Sequence, residues 1–302
     1  MKIQAPEYYK EFKCIADKCR HSCCIGWEID IDSDTLEKYL SMTKGYGKAV
    51  AQSIDTDETP HFKLTQNDRC PHLAQNGLCK IILELGEDSL CEICREHPRF
   101  YNLTSRGPEV GIGISCEEAC RIVLSSDGYM SFTDDGEWEV PPAEISFDGI
   151  KERTEIFKIL SDRNIPYSER LSLICRKYEI SLASLTDNEW KDVLEALEYL
   201  DENHKALFSN YTSFPKYPSA LEPVLERALA YFIYRHASAQ ETYCDFVAAL
   251  GFGMFCERLL ASLTALEPSA DFERAAEYAR IISEELEYSE ENTEAVKLEF
   301  RI

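Results

Sequence analysis

The sequence predicts a mainly α-helical fold, in which a small α+β cysteine-rich domain with short strands precedes a helical bundle. Apolar residues recur at helical spacing through the second half of the chain, where alternating strand patterns are nearly absent. The first half has short alternating stretches, turn signals and ten of the thirteen cysteines, all between Cys14 and Cys120. We place the two domains at residues 1–135 and 143–302, around a linker-like break from Asp134 to Pro142.

Two short stretches of the first half predict half-buried strands. Trp27–Ile31 and His61–Thr65 alternate apolar with polar residues, which is the period of a strand with one buried face. Between them, Asp32 or Ser33 is a suitable cap for a helix that runs to about Met42. The first domain therefore mixes strands and helices.

Turn residues bring pairs of cysteines together. Asn76-Gly77 is a strong tight-turn signal between Cys70 and Cys79, so these two cysteines are expected to lie near each other. Cys91 and Cys94 have the two-residue gap that is common at zinc and iron–sulfur sites. The spacing thus indicates inward-pointing sulfurs on turns.

A hairpin and a helix end the cysteine-rich region. Phe100–Thr104 and Val110–Ile114 have the pattern of two hairpin strands around a turn with glycine and proline. Ser115 and Glu118 form a capping box, which predicts a helix that starts at Cys116.

The second half predicts a bundle or layer of helices. Three series of apolar residues recur at spacings of three and four: Trp190, Val193, Leu194, Leu197, Leu200, His204 and Leu207; Leu221, Val224, Leu225, Ala228, Leu229 and Phe232; and Phe272, Ala275, Ala276, Ala279 and Leu286. We expect His204 and His236 to be hydrogen-bonded core histidines on these apolar faces.

The ends and composition of the chain predict a cytoplasmic location. Residues 1–7 contain no apolar run typical of a signal peptide, and no later stretch is expected to reach the roughly 20 apolar residues of a membrane span. The reducing cytoplasm keeps thiols free, so ten clustered cysteines indicate a soft metal centre or redox chemistry more than a disulfide framework.

The formal net charge of −23 limits the possible partners. Such a charge repels phosphate backbones and anionic lipid surfaces, so neither nucleic acid nor a membrane is an expected partner. A cationic partner, such as lysine side chains on another protein, is attracted instead.

Thiolate chemistry leaves two kinds of metal centre open. Zinc takes four tetrahedral ligands, to which His21, His72 or His97 could contribute, and an iron–sulfur cluster also takes about four thiolates. The isolated cysteines Cys175, Cys244 and Cys256 are better explained as small buried residues: free cysteine commonly packs in cores. We find no nucleophile elbow, phosphate loop or paired-histidine helix, so no catalytic residue is nominated.

Several motifs over roughly residues 8–125 resemble the flagellin lysine-N-methylase family. They are Cys14-Ile15-Ala16-Asp17-Lys18-Cys19-Arg20-His21-Ser22-Cys23-Cys24-Ile25-Gly26-Trp27, Cys70-Pro71-His72-Leu73, Leu78-Cys79-Lys80-Ile81, Leu85-Gly86-Glu87, Cys94-Arg95-Glu96-His97-Pro98-Arg99 and Ser115-Cys116-Glu117-Glu118-Ala119. The region is also similar in style to the broader group of zinc- or iron-chelating cysteine-cluster domains.

The resemblance implies a bacterial cytoplasmic enzyme that transfers methyl groups from S-adenosylmethionine to lysine ε-amines of flagellin. It also implies an iron–sulfur cluster of the 4Fe–4S type, with zinc as the alternative. Carried over by position, the metal ligands are Cys14, Cys19, Cys23, Cys24, Cys70, Cys79, Cys94 and Cys116.

This sequence departs from the family pattern at several positions. Cys91 and Cys120 stand where serine and alanine are expected, which makes them weaker ligand candidates, and Glu117 replaces an expected proline. His97 stands where the family tends to have an aromatic residue. The alternative function is a non-enzymatic zinc- or iron-binding module that acts in structure or interaction.

Overall fold

The computed structural model describes residues 1–138 and 147–301, and it confirms the mainly α-helical fold with small α+β elements. The packing of Cα atoms divides the chain into two compact units. We call residues 13–99 with 116–118 the cysteine unit, and residues 1–12, 100–115 and 119–302 the helical unit.

The secondary structure of the first half is short and mixed. In chain order it consists of β1 (Lys2–Pro6), α1 (Ser33–Leu40), α2 (Gly45–Gln52), β2 (Ile54–Asp55), β3 (His61–Phe62), α3 (Lys80–Leu85), α4 (Glu92–Glu96), β4 (Arg99–Thr104), β5 (Gly107–Ile112), α5 (Glu117–Ser125) and β6 (Phe132–Glu137). Three-residue 3-10 turns also occur at Ala16–Lys18 and Glu87–Ser89.

The second half is helical where the structure describes it. Its helices are α6 (Gly149–Ser161), α7 (Tyr167–Tyr178), α8 (Asp187–Ala196), α9 (Glu202–Phe208), α10 (Glu222–His236), α11 (Tyr243–Ala265), α12 (Phe272–Leu286) and α13 (Glu290–Leu298). The three predicted periodic series coincide with α8 and α9, α10 and α12, although Leu200 lies between helices and is 62% exposed.

The cysteine unit folds around a small apolar core that α1 helps to organise. Asp32 caps α1 by accepting a hydrogen bond from Thr35 N at 2.9 Å, and its other oxygen accepts from Glu92 N at 2.8 Å. One carboxylate therefore fixes the starts of both α1 and α4. Ile29 and Ile31 are buried, as the alternation predicts, but this stretch pairs only through an isolated bridge between Asp30 and His61.

The helical unit contains a four-stranded sheet in the order β4-β5-β1-β6. Strand β1 runs parallel to β5, where Gln4 pairs with Glu109, and antiparallel to β6, where Gln4 pairs with Asp134. Residues 134–137 of the predicted linker are therefore strand. Their polar side chains suit an edge strand with one solvated side. The remaining linker residues from 139 to 142 lie outside the described residues.

Helix α11 forms the centre of the helical unit. Its 23 residues are long and apolar enough to cross a membrane by length and composition, contrary to the expectation that no stretch reaches that length. Within the structure, 94% of its most apolar 18-residue stretch is buried, as in the core helix of a globular bundle. At Gly251, an added Cβ would lie 2.3 Å from Phe300 Cγ, so only glycine permits this close approach.

The two units group the chain differently from the predicted ranges 1–135 and 143–302. The amino-terminal strand and residues 100–115 belong to the helical unit, together with most of α5. The physical reason is strand pairing: β1, β4 and β5 form one sheet with β6, although 92 residues separate β1 from β4. The cysteine-rich region of the sequence and the cysteine unit of the fold therefore have different boundaries.

Candidate metal centre

A 3-10 turn determines the backbone shape of the first cysteine-rich loop. The 3-10 turn Ala16–Lys18 begins with a left-handed residue, Ala16, whose N–H donates to Cys14 Sγ at 3.4 Å. The Cys19 N–H donates to Ala16 O at 3.1 Å, which closes the turn. Cys14 and Cys19 are therefore presented from the two ends of one turn.

Four cysteines form what we call the outer thiol group: Cys14, Cys19, Cys23 and Cys116. Cys14 and Cys23 are exposed, and the other two are half-buried. Burial is the main cause of the raised pKa of Cys19, and the hydrogen bond with Cys24 is the main cause of that of Cys23. The charges of Cys14 and Cys116 add to both shifts, so these sulfurs are electrostatic neighbours.

Glu117 ties the start of α5 to the first loop. Its carboxylate accepts hydrogen bonds from Arg20 N at 2.8 Å and Arg20 Nε at 2.7 Å, and from Cys19 Sγ at 3.7 Å. Burial, with a contribution from the Glu117 charge, raises the pKa of Cys19 to about 11. The ion pair between Arg20 and Glu117 thus positions Cys116 with the outer thiol group, at the position where the family resemblance leads us to expect proline.

Five other cysteines form what we call the inner thiol group: Cys24, Cys70, Cys79, Cys91 and Cys94. Cys70 and Cys91 are buried members of the core of the cysteine unit, and the remaining three are partly buried and pack against that core. Its other buried members include Ile29, Ile31, Tyr39, Val50 and Phe62. The inner group therefore lies in apolar surroundings.

A tight turn places Cys24 beside Cys70. Asn67 and Asp68 adopt the left-handed conformation that short polar residues tolerate, and Arg69 pairs with Ile25 in an isolated bridge. The Cys70 N–H then donates to Cys24 O at 2.9 Å. Two cysteines 46 positions apart are thereby fixed side by side.

The predicted turn at Asn76-Gly77 and the short helix α4 position the rest of the inner group. Gly77 has a φ of +80°, and Leu73 pairs with Cys79 across this turn, as expected. Cys91 stands immediately before α4 and Cys94 one turn later. Their side chains share a hydrogen bond, so both point to the same side of α4.

Hydrogen bonds between thiols prepare two of them for deprotonation. The hydrogen bond from Cys23 lowers the pKa of Cys24 to about 7, with help from Ser22 and the charge of Arg69. In the same way, the hydrogen bond from Cys94 lowers the pKa of Cys91. The same hydrogen bonds raise the pKa of Cys23 and that of Cys94, and burial raises the pKa of Cys70 to about 12. One thiol of each pair is therefore the more readily deprotonated, and thiolates are the metal-binding form of cysteine.

The sulfurs as placed do not form a tetrahedral zinc site. With Zn–S bonds of about 2.3 Å, tetrahedral thiolates stand about 3.8 Å apart. No three of the cysteine sulfurs in the described residues lie within 4.8 Å of one another. All thirteen cysteines, which lie within the described residues, are thiols without disulfides. Neither a disulfide framework nor a preformed zinc tetrahedron is present in this part of the chain.

Two of the three histidines considered as metal ligands, His72 and His97, lie in largely buried surroundings. Both ring nitrogens of His72 are engaged, at 2.9 Å from Tyr46 Oη and 2.8 Å from Ser53 Oγ. Burial lowers the pKa of His72 to about 4, and that of His97 to about 4 as well. His72 is therefore a hydrogen-bonded core residue of the cysteine unit.

Four cysteines belong to the helical unit: Cys120, Cys175, Cys244 and Cys256. The Cys120 thiol donates to Ala276 O at 3.3 Å, and Cys256 is buried in α11. The sequence discounted Cys120 and Cys91 alike, but the structure places only Cys91 within a thiol group. The two-residue gap before Cys94 was the sequence signal that pointed to it.

The helical unit contains a separate group of possible metal ligands. The ligand atoms of His204, Glu284 and Glu285 lie within 4.8 Å of one another. Glu285, however, already accepts hydrogen bonds from His204 Nδ1 at 2.6 Å, Leu200 N at 2.8 Å and Asp201 N at 3.1 Å. This group functions as an internal ion pair, in agreement with the predicted role of His204.

Two small cavities open in the helical unit. One has a volume of about 250 Å³ and is lined in part by Arg153 and Glu109; the other has about 330 Å³ and lies between α8 and α9, where Lys191 and Lys205 line it. Sites for small molecules usually measure about 300–1,000 Å³. Neither cavity brings together a set of side chains that identifies a binding site for a methyl donor.

The comparisons with known proteins find similarity to lysine-N-methylases and to a flagellar biosynthetic protein. No family model matches the chain, and no solved structure matches it. The relation to the lysine-N-methylases is distant, and it is found at the level of sequence.

The relatives come from Salmonella. Lysine-N-methylases of Salmonella typhimurium and Salmonella choleraesuis are 24% identical over 139 residues, which are 44% of this chain and 35% of each relative. The flagellar biosynthetic protein FliU of Salmonella muenchen is 24% identical over 136 residues, 43% of this chain and 80% of that protein. The match thus spans about a third of the length of the two lysine-N-methylases.

Proposed function

We propose that this protein is a protein-lysine N-methyltransferase that uses S-adenosylmethionine as donor and flagellin as acceptor. The observation that carries the proposal is the similarity to lysine-N-methylases over 44% of the chain. The name of the similar FliU protein adds a flagellar context. The chain also contains the motifs that resemble the flagellin lysine-N-methylase family, which agrees with this proposal.

The cysteine unit is proposed to bind an iron–sulfur cluster in a cytoplasmic protein. The ligands we propose come from the eight cysteines that match the family pattern, and zinc is the alternative metal. One feature supports a thiolate metal centre of either kind: the nine cysteines of this unit carry no disulfides. Such a cluster would supply a site for binding or for electron transfer.

The charge of the chain supports a lysine-bearing acceptor. A net charge of −23 favours encounter with cationic side chains. Transfer also requires a neutral amine, so the site has to desolvate the lysine ammonium or hold a base beside it. The residues that meet this requirement can lie inside or outside the two thiol groups.

A methyl-transfer assay tests the proposal. The full chain, purified without oxygen, is incubated with isotopically labelled S-adenosylmethionine and flagellin from the same bacterium, and methyl-lysine is mapped by mass spectrometry. We expect label on flagellin lysines with wild type and with Cys244→Ser, whose thiol is exposed in the helical unit. A folded, metal-loaded protein that transfers no label would contradict the proposed reaction.

The second candidate is a non-enzymatic metal-binding module. It is favoured by the partial match, which covers 35% of the lysine-N-methylases, and by the linings of the two cavities, which do not identify a binding site for a methyl donor. This candidate predicts metal binding without methyl transfer. The same assay, combined with metal analysis, distinguishes the two functions.

A further inference from the structure

We propose that the cysteine unit holds two separate thiolate centres, one on the outer thiol group and one on the inner thiol group. The proposal extends the metal-binding part of the proposed function and does not depend on methyl transfer. Its first basis is number: nine cysteines lie in this unit, whereas a zinc ion or an iron–sulfur cluster takes about four thiolates. One centre would leave about half of the thiols idle.

The boundary between the two groups falls between Cys23 and Cys24. The carbonyl of Cys24 accepts from Cys70 N at 2.9 Å, and the side chain of Cys24 packs against the core of the unit. Cys23 is exposed, and its carbonyl accepts from Trp27 Nε1 at 2.8 Å. The two thiols share a hydrogen bond, so the two groups meet at this pair. The division rests on their other neighbours, which are Cys14 and Cys116 for Cys23, and Cys70 and the core of the unit for Cys24.

The outer group has the features of an accessible centre. Cys14 and Cys23 are exposed, and the carboxylate of Glu117 lies 3.7 Å from Cys19 Sγ. The bidentate contact of Glu117 with the backbone and guanidinium of Arg20 holds Cys116 at this place. The first cysteine-rich loop and the start of α5 therefore contribute thiols to the same group.

The inner group has the features of a structural centre. Cys70 and Cys91 are 6% and 0% exposed, within a core made largely of Ile, Val, Tyr and Phe side chains. Buried thiolates in such surroundings are costly unless a cation compensates their charge. A metal at the inner group would therefore stabilise the fold of the unit, as structural metals do in small domains.

Metal analysis of matched variants tests the division. Iron, zinc and acid-labile sulfide are measured per chain in protein purified without oxygen, for wild type and for Cys14→Ser/Cys116→Ser, Cys70→Ser/Cys79→Ser and Cys244→Ser. We expect each of the first two variants to lose about half of the metal, because each centre takes about four thiolates. Cys244→Ser is expected to retain all of it.

The opposite results would overturn the proposal. A folded Cys14→Ser/Cys116→Ser protein that loses all of its metal would indicate one shared centre. Unchanged metal content in that variant would show that the outer group binds none. Circular dichroism establishes whether each variant is folded, and methyl transfer plays no part in the readout.

A second measurement covers the case in which the inner variant does not fold. Wild type is treated with a chelator and N-ethylmaleimide, and labelled cysteines are mapped over time by mass spectrometry. We expect protection of the outer group, including the exposed Cys14 and Cys23, to be lost first, and protection of the inner group to be lost in a later step. Simultaneous labelling of all nine cysteines would contradict two centres.

Discussion

Arg153 and Glu109 form a buried ion pair inside the helical unit. Arg153 Nη1 lies 2.6 Å from Glu109 Oε2, and Nη2 lies 2.8 Å from Oε1. The guanidinium also donates to Ser238 Oγ at 2.8 Å and lies 4.7 Å from the ring centroid of Phe132. The two side chains are 4% and 6% exposed, so each charge depends on the other for compensation.

A double-mutant cycle measures this dependence. Glu109→Leu should lower the free energy of unfolding by about 3–5 kcal/mol, because it leaves the Arg153 charge buried and unpaired. The double variant Glu109→Leu/Arg153→Met should be clearly more stable than Glu109→Leu alone, since it removes both charges. Urea unfolding followed by circular dichroism gives both values. A double variant less stable than either single variant would contradict this account.

Residue identity in the candidate site was only partly predictable from the sequence. The spacing around Asn76-Gly77 correctly predicted a turn between Cys70 and Cys79. The bond network of Glu117 with Arg20 was not predictable, because it joins residues 97 positions apart. The eight proposed ligands stay predictions, and the structure adds Cys91 to their surroundings.

At the scale of elements, one glutamate of α12 holds α9 and the segment before it. Glu285 is buried and accepts from Leu200 N, Asp201 N and His204 Nδ1. Burial opposes the charged form of His204, but the hydrogen bond and negative charge of Glu285 outweigh this effect and raise the pKa of His204. The charged pair thus links two helices of the helical unit.

This pair predicts a pH-dependent stability. Because the pKa of His204 is higher in the folded protein than the ordinary histidine value of about 6.5, its contribution is complete below about pH 6.5 and is lost as the pH rises through the folded pKa. The free energy of unfolding should therefore fall more steeply with pH in wild type than in His204→Gln. Urea unfolding of both proteins between about pH 5.5 and 8.5 measures the difference. Parallel pH profiles would rule out this contribution.

The helices differed in how well the sequence predicted them. α12 has one apolar and one polar face, so its period of 3.6 residues is visible in the sequence. α10 is buried on nearly all sides from Ala228 to Tyr234, so its predicted apolar series covers only part of its buried surface. α11 is buried on all sides, so it has no such period, and its length was not anticipated. Strands β1 and β6 were missed because they are defined by pairing between distant segments.

At the scale of the whole molecule, the cysteine unit and the helical unit rest on different kinds of core. The helical unit buries long apolar helices such as α10 and α11. The cysteine unit has a small core, in which thiols are among the buried side chains. Composition predicted the fold class, but the packing division was not predictable, because it depends on which strands pair.

Metal removal should therefore affect the two units differently. If the inner thiol group holds the proposed metal, chelation removes the cation that compensates its thiolates, so hydrogen exchange should speed up across residues 13–99. Exchange in α10 and α11 should change little, since apolar packing stabilises them. Hydrogen exchange with mass spectrometry, before and after chelation, reports both regions in one sample. Equal acceleration in both regions would contradict a unit-specific role of the metal.

The order of the chain has a consequence for modularity. Residues 13–99 form one continuous insert between β1 and β4, and the cysteine unit takes its last three residues from positions 116–118. A graft of the insert into another protein would carry the inner thiol group complete, but the outer thiol group without Cys116. The proposed accessible centre is therefore not portable on its own, and recombination that moves residues 13–99 would transfer a complete set of thiols only for the proposed buried centre.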